Sequence, residues 1–204
     1  VDAAQSAGVL PINMKEMNLD YLSVAAHKGL YAPMGIGILI SRKPLENTVL
    51  EGGTGTNSID LSQPEDLPER IESGTVNLPA IFGLLSGLQF VKVNDPIRLY
   101  KKELSIIKYI YLAFKNIKKI KLYTGEPQLF KSVPVLPFNI KGKSSDEVAK
   151  YLAQNNIATR AGLHCAPSAH KKLGTIPDGC VRLSTGFFNT FSQADYLIKT
   201  IKNL

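Results

Sequence analysis

The stretch from Lys101 to Tyr123, KKELSIIKYIYLAFKNIKKIKLY, limits most sharply what this chain can fold into. Its lysines alternate with apolar residues at helical spacing, as on a helix with a solvated face over a buried stripe. Such a helix needs a sheet or other helices beneath it, and the downstream sequence offers both. A strand is expected near 119–123 and another in VPVLPFNIKG. SSDEVAKYLAQNN opens with serine and acidic residues and reads as a capped helix. IATRAG reads as a short strand, CVRLST as another, and a closing helix is expected from about Ser192 to Asn203, with apolar residues at 194, 197, 198 and 201. Together these make a small α+β domain, and Asp95-Pro96 marks its start, giving domains 1–95 and 96–204.

The first 95 residues are patterned differently. LDYLSVAAHKG and GIGILIS read as two buried strands, joined by the turn GLYAPMG. GGTGTN reads as a flexible loop, followed by the polar connection SQPEDLPERIESGTVN. LPAIFGLLSGLQFVKV returns to helical periodicity, with Gly83 and Gly87 at i, i+4 allowing close approach to a neighbouring element.

Composition narrows the class. Of 204 residues 44% are hydrophobic and 20% charged, and no window approaches the ~18 apolar residues of a membrane span. The net charge of +7 raises the question of an anionic partner. Its lysines concentrate on the exposed face of the 101–121 segment, so neither nucleic acid nor membrane is expected as a partner. No basic-then-apolar leader is visible, which makes the cytoplasm the expected compartment. Cys165 and Cys180 are too few for a disulfide scaffold and lack metal-site spacing, so free thiols and no metal are expected.

The chemistry centres on Lys28, in AAHKG. A lysine traps carbonyls when burial or cationic neighbours keep its amine neutral, and the break of an apolar run against glycine is where such a group is expected. Asp2 and Gln5 lie near one strand end, Lys28 after another and Arg182 after a third, which groups acid, amide, amine and guanidinium.

With these residues in place, the segments VDAAQSAGVLPI, AHKGLYAPMGIGIL, GGTGTNS, ERIESGTVNLPAI, RAGLHCAP and VRLSTGFFNT resemble, in order, those of the class V aminotransferases of fold-type I. Within that family they are most similar to the SufS-like cysteine desulfurases and selenocysteine lyases. The resemblance implies an α/β fold, with a partial large domain to about residue 95 followed by the small α+β domain. It also implies pyridoxal 5'-phosphate as cofactor. Asp2 would face the pyridinium nitrogen and Gln5 the phenolic oxygen, Lys28 would hold the aldehyde, and His27 would support the phosphate. Thr75 would reach the phosphate of a neighbouring subunit in a homodimer. Arg182 would clamp the substrate carboxylate, with Arg160 a second candidate.

Cys165 would take sulfur from L-cysteine, or selenium from L-selenocysteine, as a persulfide passed to an acceptor protein, with His164 shaping its surroundings. Cys180 reads as a small buried hydrophobe, and His170 receives no role. Two features depart from the family. Ala25 stands where a serine usually binds the phosphate, removing a hydrogen bond worth roughly 1.5–3 kcal/mol. The family's N-terminal portion, with its phosphate loop and ring-stacking histidine, has no counterpart here, so the chain is expected to be a fragment of a longer protein or a truncated product. The alternatives are another class V enzyme in which Cys165 is incidental, such as an aminotransferase, and a truncated domain without activity.

Overall fold

Between Tyr21 and Ser41 the alternation of apolar and small residues produces an antiparallel pair in the computed structural model, which describes residues 1–56 and 59–204. Strand β1 (Tyr21–Ala25) pairs with β2 (Gly37–Ser41) from Tyr21↔Ser41 to Ala25↔Gly37. Residues 1–3 add a short parallel edge to β1: the Ala3 N–H donates to Ser23 O (2.8 Å) and the Ser23 N–H to Val1 O (3.0 Å). Ala3, Leu22 and Val24 form the buried centre here, packed by Leu19, Leu30 and Ile38. The expectation of two buried strands holds only for one face of β1, where Leu22 and Val24 are buried while Tyr21 is exposed. Leu39 and Ile40 of β2 are 55% and 44% exposed, because the described residues lay no second layer over them.

Helix α1 (Leu78–Val93) begins where Asn77 Oδ1 accepts the Ala80 N–H (3.2 Å). Its apolar residues run all round the helix, yet only Ala80, Gly87 and Val91 are buried. Val1–Pro96 forms one compact unit and Ile97–Leu204 a second. Of the GGTGTNS segment, Asn57 and Ser58 lie outside the described residues.

The second unit follows the helical and strand periodicities closely. Helix α2 (Pro96–Lys115) buries Leu99, Tyr100, Leu104, Ile107, Tyr111 and Phe114 and leaves Lys101, Lys102, Lys108 and Lys115 exposed, the expected solvated face. Strands β3 (Ile120–Leu122), β4 (Val135–Ile140) and β5 (Val181–Ser184) form an antiparallel sheet in that order. Leu136, Phe138 and Ile140 alternate inward from β4 and meet Phe114 of α2. Helices α3 (Ser145–Gln154) and α5 (Phe191–Asn203) add Val148, Leu152, Leu197 and Ile201 to the same core, and the short α4 (Pro167–Leu173) ends at left-handed Gly174.

The segment IATRAG is not a strand. It touches the sheet only through the single bridges Arg160↔Arg182 and Gly162↔Gly179, because Gly162, at φ 102°, turns the chain out of the pleat.

A capping box starts α3: Ser144 Oγ accepts the Glu147 N–H (3.2 Å) and Glu147 Oε2 accepts the Ser144 N–H (2.7 Å). These bonds from Ser144 hold the Glu147 carboxyl below its ordinary value, so its contribution is present at neutral pH and fades as pH falls through the acid range. Ser144→Ala is expected to cost about 1 kcal/mol, read as a lower urea midpoint at pH 7. An unchanged midpoint would mean that the cap adds nothing.

Candidate active site

Backbone geometry in the first unit carries two turns that hold candidate residues to one end of the sheet. Residues 1–3 run parallel to β1, so the turns that follow them, holding Gln5 and then Lys28, leave the sheet at the same carboxyl end. They are pressed together by two glycines. A Cβ on Gly8 would lie 2.2 Å from Gly29 O, and one on Gly29 would lie 2.2 Å from Ala7 O. Asp2 is exposed, with Oδ1 accepting the Ala4 N–H (2.8 Å), and among the described residues it forms no ion pair. Lys28 is held by its backbone: its N–H donates to Ala25 O (3.2 Å) and its carbonyl accepts the Tyr31 N–H (3.1 Å).

His27 and Lys28 are both exposed. The chain breaks out of β1 into an open turn there, so burial does not surround the Lys28 side chain in this unit.

Helix α1 supports that turn from behind through the two glycines singled out in its sequence. A Cβ at Gly83 would meet Pro33 Cγ at 2.3 Å, and one at Gly87 would meet Leu30 O at 2.2 Å. Gly87→Ala is therefore expected to push the helix off the 30–33 segment at a cost of about 1–3 kcal/mol, whereas Ser86→Ala, at an exposed position, should be nearly neutral. Equal denaturation midpoints for the two variants would refute the tight contact. Thr75 lies elsewhere in the unit. It lines an open cleft of about 460 Å³ with Gly53, Thr54 and Glu72, and Lys28 does not line that cleft.

The remaining candidate residues gather in the second unit around β5. Arg182 lies inside that strand, not after it, and exchanges backbone hydrogen bonds with Arg160 (2.7 and 3.3 Å). Gly162 and Cys180 exchange another pair (3.1 Å each), and Gly179 lies so close to Gly162 that a Cβ there would stand 2.1 Å from Gly162 O. The chain then passes through two consecutive left-handed residues, His164 (φ 51°) and Cys165 (φ 61°), before α4. This turn leaves Cys165 exposed while Cys180 is buried, in line with the sequence reading of Cys180 as core.

The residues of this group are electrostatically coupled. Burial lowers the Arg182 pKa, the neighbouring charge of Arg160 adds to the effect, and the thiols of Cys180 and Cys165 oppose it. Arg182 Nε is buried without a hydrogen-bond partner. Desolvation likewise pulls His164 down, favouring neutral imidazole, and pushes the Cys180 thiol up. The sequence-expected residues thus fall into one group per unit: Asp2, Gln5, His27 and Lys28, with Thr75 apart, and Arg160, His164, Cys165 and Arg182. Sequence reasoning missed His170, which is 5% exposed and bonded through Nδ1 to Thr175 Oγ1 (2.7 Å). Its position three residues into a short helix gave no periodic signal of burial.

Comparison with known proteins gives a consistent picture. The profile of the family described as Aminotransferase class-V matches residues 1–197. The chain is 30% identical to a probable cysteine desulfurase of Pyrococcus abyssi, over 100% of this chain and 51% of the relative. It is 32% identical to a probable cysteine desulfurase of Staphylococcus aureus, over 99% and 49%. Among solved structures, the apo cysteine desulfurase of Thermococcus onnurineus superposes with a TM-score of 0.83 at 30% identity, over 100% of this chain and 51% of that one. The cysteine desulfurase CsdA of Escherichia coli, in its S-sulfonic acid form, superposes at 0.86 and 25% identity, over 100% and 50%. The chain spans about half the length of the curated relatives it matches.

Proposed function

The chain belongs to the class V aminotransferase family, and from that membership we propose that the protein carrying it is a pyridoxal-phosphate-dependent cysteine desulfurase. Its fold is that of the fold-type I enzymes. The observation that carries the reading is Cys165, an exposed thiol in a left-handed turn within the electrostatic reach of Arg182. An aminotransferase has no use for a thiol so presented.

The residues present fit the ring end of the cofactor. Asp2 offers a carboxylate that no cation of the described residues neutralises, and Gln5 and Lys28 leave the sheet at one end in turns locked by Gly8 and Gly29. The phosphate end is served less fully, since Ala25 lacks a hydroxyl and only His27 stands beside Lys28. When bound, the cofactor supplies an electron sink for the pair left at the substrate Cα.

Asp2 would face the ring nitrogen and keep it protonated, and Gln5 would hydrogen-bond the phenolic oxygen. Lys28 Nζ would be the group that holds the cofactor covalently, and as a free amine it would carry the proton at the substrate Cα. Arg182 grips the α-carboxylate as a bidentate partner, assisted by Arg160. The Cys165 thiolate attacks the substrate sulfur: an S–S bond forms, the C–S bond breaks, its electron pair remains with the carbon that is then protonated, and alanine leaves. His164 lines the turn that presents the thiol. The persulfide passes to an acceptor protein, and Thr75 completes the phosphate site of the second subunit of a homodimer. L-selenocysteine would follow the same steps. No described helix is long and apolar enough to cross a membrane, and we place the enzyme in the cytoplasm.

The test is to supply the protein from its intact reading frame with cofactor and L-cysteine. Alanine and enzyme-bound or released sulfur should form in equal amounts. A keto acid without sulfur release would replace this reading with an aminotransferase.

A further inference from the structure

We propose that His164, His170 and Cys180 form a binding site for a soft or borderline metal ion of the zinc(II) type. One nitrogen of each imidazole and the Cys180 sulfur all lie within 4.8 Å of one another. The proposal does not rest on the desulfurase reading.

The hydrogen bonds around the two rings decide where their lone pairs are. His164 Nε2 lies 2.9 Å from Cys180 O, and a carbonyl can only accept, so Nε2 carries the hydrogen and Nδ1 is left with its lone pair. That Nδ1 is buried and has no hydrogen-bond partner. Thr175 Oγ1 donates its own hydrogen to His170 O (3.3 Å) and so accepts from His170 Nδ1 (2.7 Å), which leaves the lone pair of His170 on Nε2. Both imidazoles are therefore fixed in the tautomer that a metal requires, each with its second nitrogen anchored to an oxygen, the outer-shell arrangement typical of metal-bound histidines. A buried acceptor with nothing to accept from is a cost that a bound cation removes.

Donor chemistry narrows the ion. Two nitrogens and one sulfur, with no carboxylate, suit zinc(II) or copper(I) and not magnesium or calcium. The guanidiniums of Arg160 and Arg182 act on His164, so charge does not draw a cation here and ligand bonding must do so. Bonds of ~2.0–2.1 Å to nitrogen and ~2.3 Å to sulfur put tetrahedral ligands about 3.3–3.6 Å apart, so atoms within 4.8 Å of one another must close by at most about 1.5 Å. Cys180 is 2% and His170 5% exposed, so two of the three ligands are screened from competing water. Binding replaces the Cys180 thiol proton, which leaves to solvent, and a fourth position stays open for water.

The reduced chain is titrated with zinc(II) against a chromophoric chelator, and with cobalt(II) to read the thiolate-to-metal absorption. One ion per chain is expected, with affinity at least about a hundredfold weaker in Cys180→Ser and the cobalt–thiolate band lost. Cys165→Ser should bind within about twofold of the parent, since Cys165 is not a ligand. Circular dichroism melting verifies folding of each variant, and His164→Asn, at a half-buried loop position, replaces Cys180→Ser should the latter fail to fold. No stoichiometric zinc binding by the parent, or binding lost in Cys165→Ser and kept in Cys180→Ser, overturns the proposal.

Discussion

Replacing Cys165 with serine is expected to lower sulfur release from L-cysteine by at least about a thousandfold while leaving cofactor attachment intact. A hydroxyl has nearly the shape of a thiol but is a far weaker nucleophile toward sulfur, so the variant loses chemistry and keeps structure. The exposed, left-handed position of Cys165 makes the change structurally mild, as the side chain fills no core space. Cys180→Ser, at a buried position, should leave turnover near the parent's in metal-free buffer and cost only packing. The readouts are sulfide, alanine and the visible absorption of the cofactor. Parent-like turnover by Cys165→Ser would make the thiol incidental and the desulfurase reading wrong. Loss with L-cysteine but not with L-selenocysteine would mark the enzyme as a selenocysteine lyase.

The second large effect belongs to Lys28. Lys28→Ala removes the only side-chain amine in the 27–33 turn, so covalent attachment of the cofactor and proton movement at Cα should be lost together. Turnover should fall by at least about 10²–10⁴, the usual weight of a positioned acid–base group. Stability should barely change, since Lys28 is exposed and its turn is held by backbone hydrogen bonds and glycine contacts. Borohydride reduction of the parent with its cofactor, followed by peptide mapping, should label the peptide containing Lys28. A label on another lysine would remove Lys28 from the role. The separation of the two variants is informative in itself: one should abolish attachment and turnover, the other turnover alone.

Much of the second unit is legible one segment at a time. The lysine face of α2 follows from spacing alone, because an exposed cation and a buried isoleucine a few positions away satisfy only one helical phase. The start of α3 follows from a serine three residues before a glutamate, and the inward set of β4 from alternation. The close approach at Gly83 and Gly87 was also readable, though not its partner. The exposure of β2 was not, since alternation states which residues share a face and never whether anything covers it.

By itself, then, the amino-acid order determined the helical phases, the caps, the contrast between Cys165 and Cys180, and the ordered segments that identify the family. These are properties of short windows, set by backbone periods of 2 and 3.6 residues and by local hydrogen bonding. Only the tertiary structure decided that Gly8 and Gly29 lock the turns of Gln5 and Lys28 together. It alone showed that IATRAG meets the sheet through isolated bridges and that His164, His170 and Cys180 converge. Those outcomes join residues from separate turns, a helix and a strand edge. Closing such loops depends on how the whole core packs, so no local pattern in the sequence records them.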